Sequence, residues 1–142
     1  MSVPVNLRSH GKLEALTKAY ELCTYTLKIT KNKKIFTEDF QEEVTDKINE
    51  CALDIFLLCG SANDEPVRSA ADLNHFQNRL ALQAMALKRC GDLKRLIVIA
   101  KPLFHLSSKR VTYWTGLTVD TRNLIKGWTD SDKERFGKLF KG

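Results

Sequence analysis

The chain has 142 residues, of which 43% are hydrophobic, so it is long enough for one domain with a substantial core. No apolar run approaches the roughly 18 residues of a membrane span, and residues 1–4 lack the pattern of an export signal, which predicts a cytoplasmic protein without a membrane partner. The net charge of +6 divides into +5 over residues 1–37, −8 over residues 38–72 and +9 over residues 73–142. This pattern favours contact between acidic and basic segments or a polyanionic partner, and a mixed solvated surface is the alternative.

Helix 1 is predicted over residues 12–31, after an irregular tail at residues 1–11 that contains the helix breakers Pro4 and Gly11. Its apolar residues recur at alternating spacings of three and four, which places them on one helical stripe. The stripe consists of Leu13, Leu16, Tyr20, Cys23 and Leu27. The basic run at residues 30–34 is typical of a helix C-terminus, where cations suit the helix dipole, and Phe36 follows within an apolar plug.

Helix 2 is predicted to begin at an N-cap, Thr37, and to end at residues 60–63. One face is apolar and contains Phe40, Val44, Ile48, Cys51, Ile55 and Leu58. The opposite face is acidic and includes Glu42, Glu43, Asp46 and Glu50. Because Phe56 and Leu57 lie off the apolar stripe, we expect a second buried side against another subunit. An acidic helix 2 against basic helices of a neighbouring copy would form a ring through head-to-tail contacts.

Helix 3 is predicted from near Ser69, and Pro102 is expected to end or kink it. Its stripe consists of Leu73, Phe76, Leu80, Ala84, Leu87, Cys90, Leu93, Ile97, Ala100 and Phe104. A short link at residues 104–107 leads to helix 4 over residues 108–128, and Ser131 with Glu134 matches a capping box for a short fifth helix over residues 132–139. The predicted fold is therefore all-α: an antiparallel up-down four-helix bundle over residues 12–128 with a short C-terminal helical extension at residues 129–142.

The sequence contains no constellation that is typical of an enzyme. It lacks H-E-x-x-H, G-x-x-x-x-G-K-[ST] and G-x-S-x-G, and its three histidines, His10, His75 and His105, are far apart. No carboxylate of helix 2 is followed by a His at the spacing of a di-metal bundle. The cysteines stand alone and are predicted to be buried free thiols, with a zinc or disulfide framework as the alternative. They are Cys23, Cys51, Cys59 and Cys90. We therefore predict no catalytic activity, no cofactor and no metal.

Helices 3 and 4 carry rows of Lys and Arg, such as Lys94 with Lys101 and Arg122 with Lys126, that share a helix face. Rigid rows of this kind can follow phosphates without reading bases, although Lys and Arg are also common on ordinary solvated faces. The candidate nucleic-acid-binding residues are Arg79, Lys88, Arg89, Lys94, Arg95, Lys101, Lys109, Arg110, Arg122 and Lys126.

Several diffuse features between residues 13 and 128 occur together: a helix 1 that ends in a basic stretch and Phe36, an Ala-Asn step at residues 62–63, a leucine-rich helix 3 with arginines, and Leu-Ile-Lys-Gly-Trp at residues 124–128. In these features the chain resembles the four-helix-bundle family that includes the accessory variability determinant of diversity-generating retroelements and the proteins encoded in ribosomal RNA intervening sequences. The second branch usually carries Ser-Ile-Pro-like and Ala-Glu-Gly runs near the end of helix 2, which residues 57–63 lack. The chain departs from the first branch at Thr37, which replaces a Pro, and in the tail beyond Trp128.

The resemblance implies a barrel-like homopentamer that binds a reverse transcriptase and RNA or DNA. Such a protein would support mutagenic copying of a template repeat into a variable gene without being the polymerase. The alternative function is an oligomeric helical scaffold of the intervening-sequence type that has protein partners only.

Overall fold

The computed structural model describes residues 3–141, which form four α-helices and no strand. The helices are α1 (Val3–Thr30), α2 (Asp46–Asn63), α3 (Leu73–Leu103) and α4 (Ser108–Gly137). Each packs against its neighbours in sequence, and α4 also packs against α1, so the predicted antiparallel up-down bundle is confirmed. Within the described residues, no helix is both long and apolar enough to cross a membrane.

Short segments of other helical types lead into and out of these helices. A 3-10 turn (Glu38–Phe40) and a π-helical segment (Gln41–Thr45) precede α2, and further 3-10 turns lie at Ala70–Asp72 and Lys138–Phe140. Thr37 does not cap α2, which begins at Asp46; it precedes the 3-10 turn, and its hydroxyl donates to Asp39 Oδ2 at 3.1 Å. The helical turn before α3 does have the predicted start, since Ser69 forms a capping box with Asp72.

The predicted irregular tail at residues 1–11 is wrong for its described part, because α1 begins at Val3. Pro4 lies in the first turn of the helix, where a missing N–H removes no intrahelical hydrogen bond. A Cβ on Gly11 would lie 4.0 Å from Cα of Trp128, so this glycine faces the backbone of α4 within the bundle. Residues 1 and 2 lie outside the described part.

The core face of α1 differs from the predicted apolar stripe. Leu13 and Tyr20 are 57% and 56% exposed, and the fully buried positions are occupied mainly by small residues. These positions are Ala15, Ala19, Leu22 and Thr26. Cys23 of the predicted stripe is buried as well, and so is Ile29, so the core face combines small residues with larger apolar ones. Hydrophobic periodicity does not detect the Ala and Thr positions of this face.

The stripes of α2 and of the second half of α3 are confirmed, since Ile48, Cys51, Ile55, Leu93 and Ile97 are all buried. In the first half of α3, the core positions are occupied by Phe76, Arg79, Gln83 and Ala86, whereas Leu73 and Ala84 are exposed. The helix continues through Pro102 to Leu103, one residue before the predicted link.

The predicted break after Trp128 is absent, because α4 continues to Gly137. Asp132, expected near the start of a separate helix, is 2% exposed and faces α3. The last turns of the chain are held by Phe76 of α3, whose ring centroid lies 6.2 Å from that of Phe136 and 5.1 Å from that of Phe140. The C-terminal extension therefore belongs to the bundle itself.

All four cysteines are buried, and none forms a disulfide. Burial raises the pKa of Cys51 to about 11 and the pKa of Cys59 and Cys90 to about 12. The thiols are therefore protonated at neutral pH and behave as small apolar side chains. Among the described residues, no three His, Cys, Asp or Glu side chains lie close enough to hold a metal ion.

Candidate nucleic-acid interface

The clearest basic surface lies along the seam between α3 and α4. A groove of about 250 Å³ opens there and is lined by Gly91, Lys94, Arg95, Val98 and Thr115. Seven residues on from Lys94, Lys101 occupies the same face of α3 and lies about 10.5 Å further along the helix. The Nζ of Lys101 lies 3.4 Å from the Oγ of Ser108, which is the first residue of α4.

The α4 side of the groove continues the row. Arg122 lies seven residues after Thr115 and therefore on the same face of α4. Because Thr115 lines the groove, this face is the side of α4 next to α3, and the positive charge of Arg122 acts to lower the pKa of Cys90 against the larger effect of burial. Lys94 and Arg122 are exposed, and neither has a carboxylate partner among the described residues. We define the basic seam as Lys94, Lys101, Arg122 and Lys126.

Lys126 is the one member of the basic seam with a carboxylate partner among the described residues. Its Nζ lies 2.9 Å from Asp130 Oδ1, one turn further along α4, and both side chains are about half exposed. An exposed i,i+4 pair contributes only about 0.3–0.5 kcal/mol, so a phosphate can replace the carboxylate at little cost.

Lys88 and Arg89 lie on a different surface, the outer groove between α2 and α3. The Arg89 guanidinium bridges Asp54 at 2.9 Å and Asp92 at 3.2 Å, and Arg95 also donates to Asp92 at 2.8 Å. These carboxylates neutralise much of the positive charge. The α2–α3 groove therefore carries both signs of charge and is a poorer surface for phosphates than the basic seam.

Arg79 is not a surface residue, and its prediction as a nucleic-acid contact is wrong. It is 5% exposed, and its Nε donates to Asp132 Oδ2 at 2.6 Å. Gln83 donates to the same carboxylate oxygen at 2.8 Å, and the guanidinium lies 5.2 Å from the centre of the Trp128 ring. The group joins α3 to α4 inside the bundle, where no polyanion can reach it.

The two remaining candidates, Lys109 and Arg110, lie at the start of α4, at the end of the bundle where α1 also finishes. The prediction did not include the lysines of the α1–α2 connection at the same end. The sequence pattern predicts them at the C-terminal end of helix 1, but α1 ends at Thr30 and the lysines follow it. We define the basic end as Lys31, Lys33, Lys34, Lys109 and Arg110.

No protein-family model matches the chain, and no curated protein or solved structure matches it either. The resemblance to the retroelement accessory proteins therefore stays a prediction from the pattern of residues 13–128.

Proposed function

We propose that the chain is a non-catalytic accessory protein that binds the sugar-phosphate backbone of nucleic acid along the basic seam. The supporting observation is the row of exposed cations on two rigid, adjacent helices, in which Lys94 and Arg122 lack carboxylate partners among the described residues. The groove offers no aromatic side chain for base stacking. Binding through it would be sensitive to salt and weakly specific for sequence.

The family resemblance extends this proposal to a cytoplasmic subunit of a diversity-generating retroelement. In that role the chain would bind the reverse transcriptase and hold RNA or DNA near it, and the polymerase would supply the chemistry. A homo-oligomer, a pentamer by resemblance, would present several copies of the basic seam to one nucleic acid. A reverse-transcriptase gene and near-duplicate repeats beside the gene for this chain, together with a stable complex of the two purified proteins, are the expected findings.

The basic seam is tested by neutralising two of its three cations that lack a carboxylate partner among the described residues, in Lys94→Gln/Arg122→Gln. Fluorescence anisotropy with a labelled 30-nucleotide single strand, as RNA and as DNA, gives the affinity between 50 and 300 mM salt. Loss of two phosphate contacts should reduce the slope of log K against log salt by about 1.4, because each contact contributes about 0.7 for single strands. If the plots of log K against log salt for the wild type and the variant meet near 1 M, the variant binds about 25-fold more weakly than the wild type at 0.1 M.

Lys47→Gln/Lys133→Gln is the matched control, because it removes two exposed lysines from α2 and from the last turns of α4. The control should bind much more tightly than the seam variant. Equal affinities and slopes for the two variants would remove the basic seam from the proposal. A wild-type protein that binds neither strand at 50 mM salt would refute nucleic-acid binding altogether.

The outer groove between α2 and α3 favours a second function, an oligomeric scaffold with protein partners only. The groove measures about 460 Å³, and exposed apolar side chains lie in it, including Leu57 and Met85, which are 58% and 52% exposed. Exposed apolar area of this kind is typical of protein contacts. A defined oligomer in light scattering without any measurable nucleic-acid affinity would support the scaffold, and a monomer at micromolar concentration would exclude it.

A further inference from the structure

The two connections at one end of the bundle meet through their aromatic residues. Phe36 of the α1–α2 connection is fully buried, and its ring centroid lies 4.8 Å from that of Phe104 in the α3–α4 link and 6.0 Å from that of Trp114. The lysines just before Phe36 are thereby brought to the same end of the bundle as Lys109 and Arg110 of α4. The basic end is thus a product of tertiary packing, since its two halves are more than 70 residues apart in the chain.

The lysines of the α1–α2 connection sit on a closed turn. The backbone N–H groups of Ile35 and Phe36 donate to the carbonyl of Asn32 at 3.0 and 2.9 Å, and the side chain of Asn32 accepts from Lys34 N at 3.1 Å. The turn is fixed on one side by α1 and on the other by the buried ring of Phe36. The lysines are therefore positioned before any ligand arrives, which lowers the entropy cost of binding.

None of these lysines forms a direct ion pair with a carboxylate among the described residues. Lys33 Nζ donates to Gln41 Oε1 at 2.6 Å, and this amide carries no charge. All three lysines are exposed. The acidic residues of the same connection, at positions 38–43, follow Phe36 in the short helical segments that lead into α2. Gln41 in turn donates to Asp46 Oδ1 at 2.7 Å, so Lys33 lies close to the acidic start of α2, whereas Lys31 and Lys34 have no side-chain partner among the described residues.

Lys101 connects the basic end to the basic seam. It lies in the last turn of α3, and its Nζ reaches Ser108 Oγ, directly before Lys109. We infer that the basic end is the second part of one phosphate-binding path, so that a single nucleic-acid strand runs along the seam and continues over the end of the bundle. This inference rests on the proposed function of the seam and extends it to the lysines at positions 31, 33 and 34.

The surface of the basic end fits a nucleic-acid backbone better than an acidic protein. Protein interfaces usually have an apolar anchor at their centre. In segments 31–37 and 104–110 none of the large apolar side chains is exposed, because Phe36, Phe104 and Leu106 are buried and Ile35 is half buried. One turn after Lys109, Tyr113 is 58% exposed, and its ring packs edge-on against Tyr25 at 5.0 Å between centroids. What this surface offers is fixed positive charge, which suits a regularly charged chain without side chains to anchor.

The length of the path sets the test. On α4 the basic seam extends from Ser108, which Lys101 reaches, to Lys126, 18 residues or about 27 Å, which corresponds to about eight phosphates at the 3.4 Å spacing of a helical strand. A 6-nucleotide strand is therefore covered by the seam alone, whereas a 30-nucleotide strand also reaches the basic end. Lys31→Gln/Lys33→Gln/Lys34→Gln should reduce the salt slope for the 30-nucleotide strand by about 2.1 and the affinity at 0.1 M about 100-fold. The 6-nucleotide strand should bind this variant like the wild type.

The control is Lys47→Gln/Lys133→Gln/Lys138→Gln, which removes three exposed lysines elsewhere. Suppose that the wild type binds and Lys94→Gln/Arg122→Gln binds weakly. If Lys31→Gln/Lys33→Gln/Lys34→Gln then binds the 30-nucleotide strand with the same affinity as this control, the inference alone is overturned. Failure of the wild type to bind either strand overturns the proposed function and the inference together. Competition by poly-glutamate that equals competition by unlabelled strand would overturn the assignment to nucleic acid.

Discussion

Asp132→Ala tests the ion pair inside the bundle. Arg79 and Asp132 are 5% and 2% exposed, and the mutation would leave the guanidinium buried without its carboxylate. Removal of one partner from a buried pair typically destabilises a protein by about 3–5 kcal/mol. Gln83 Nε2 would lose its acceptor as well, so we expect the upper half of this range. Arg79→Met/Asp132→Leu removes both charges and should recover part of the loss, since paired apolar replacement is often neutral, whereas the buried Gln83 amide still lacks its acceptor.

Urea unfolding followed by circular dichroism at one fixed protein concentration measures these changes. With a slope of about 2 kcal/mol per M, a loss of 4 kcal/mol lowers the midpoint by about 2 M. Asp130→Ala is the matched control, because it removes a carboxylate two residues away whose partner, Lys126, is exposed, and it should cost at most about 0.5 kcal/mol. Equal losses in Asp132→Ala and Asp130→Ala would refute the reasoning, and so would a double variant as unstable as Asp132→Ala.

Three further predictions concern the core. Phe36→Ala should lower the free energy of unfolding by about 3–5 kcal/mol, measured in urea, because it leaves a cavity between the two connections; a loss below 1 kcal/mol would contradict this. Trp114→Phe removes the indole N–H that donates to the buried Thr26 hydroxyl at 3.0 Å and should cost about 1–3 kcal/mol, and the loss should shrink in a Thr26→Val background. Burial raises the pKa of Cys51 to about 11 and that of Cys59 to about 12 from an ordinary value of 9.0, so the unfolded chain releases these protons first. The stability that the thiols contribute should be constant below about pH 8 and fall as the pH rises from 9 toward 12. Urea midpoints measured across this range should fall less steeply in Cys59→Ala than in the wild type. A midpoint that rises with pH over this range would contradict the prediction.

The elements that could be predicted from sequence are those whose core face is strongly apolar. Ile48 and Ile55 of α2, and Leu93 of α3, stand out from charged neighbours at helical spacing, and all three are buried. The Ala and Thr positions of the α1 core face could not be found in this way, because their side chains do not stand out in a hydrophobicity pattern as Leu22 and Ile29 of the same face do. Thr30 can be buried because its hydroxyl donates to Asn49 Oδ1 at 2.7 Å, and a hydrophobicity pattern carries no information on such a bond.

The candidate site shows the same division between local and distant information. The alignment of Lys94 with Lys101 follows from the helical period alone, so the sequence predicts it. The burial of Arg79 depends on Asp132, 53 residues away, and no local pattern indicates that pairing. In the same way, the meeting of the Lys-rich turn with Lys109 depends on the packing of Phe36 against Phe104, which only the folded chain provides.

The closure of α4 on α1 has a consequence for synthesis on the ribosome. Trp114 Nε1 donates to Thr26 Oγ1 across 88 positions of the chain, and Thr121 Oγ1 lies 3.4 Å from the carbonyl of Lys18 across 103 positions. At about 5–20 residues per second, α1 is complete roughly 5–20 s before all of α4 has been made. During this interval the face that α1 will bury is exposed to water and to other nascent chains. Four of the seven positions of α1 that the structure describes as buried are Ala or Thr, so this face presents less apolar area than one of Leu and Ile alone, which lowers the tendency to aggregate during that interval.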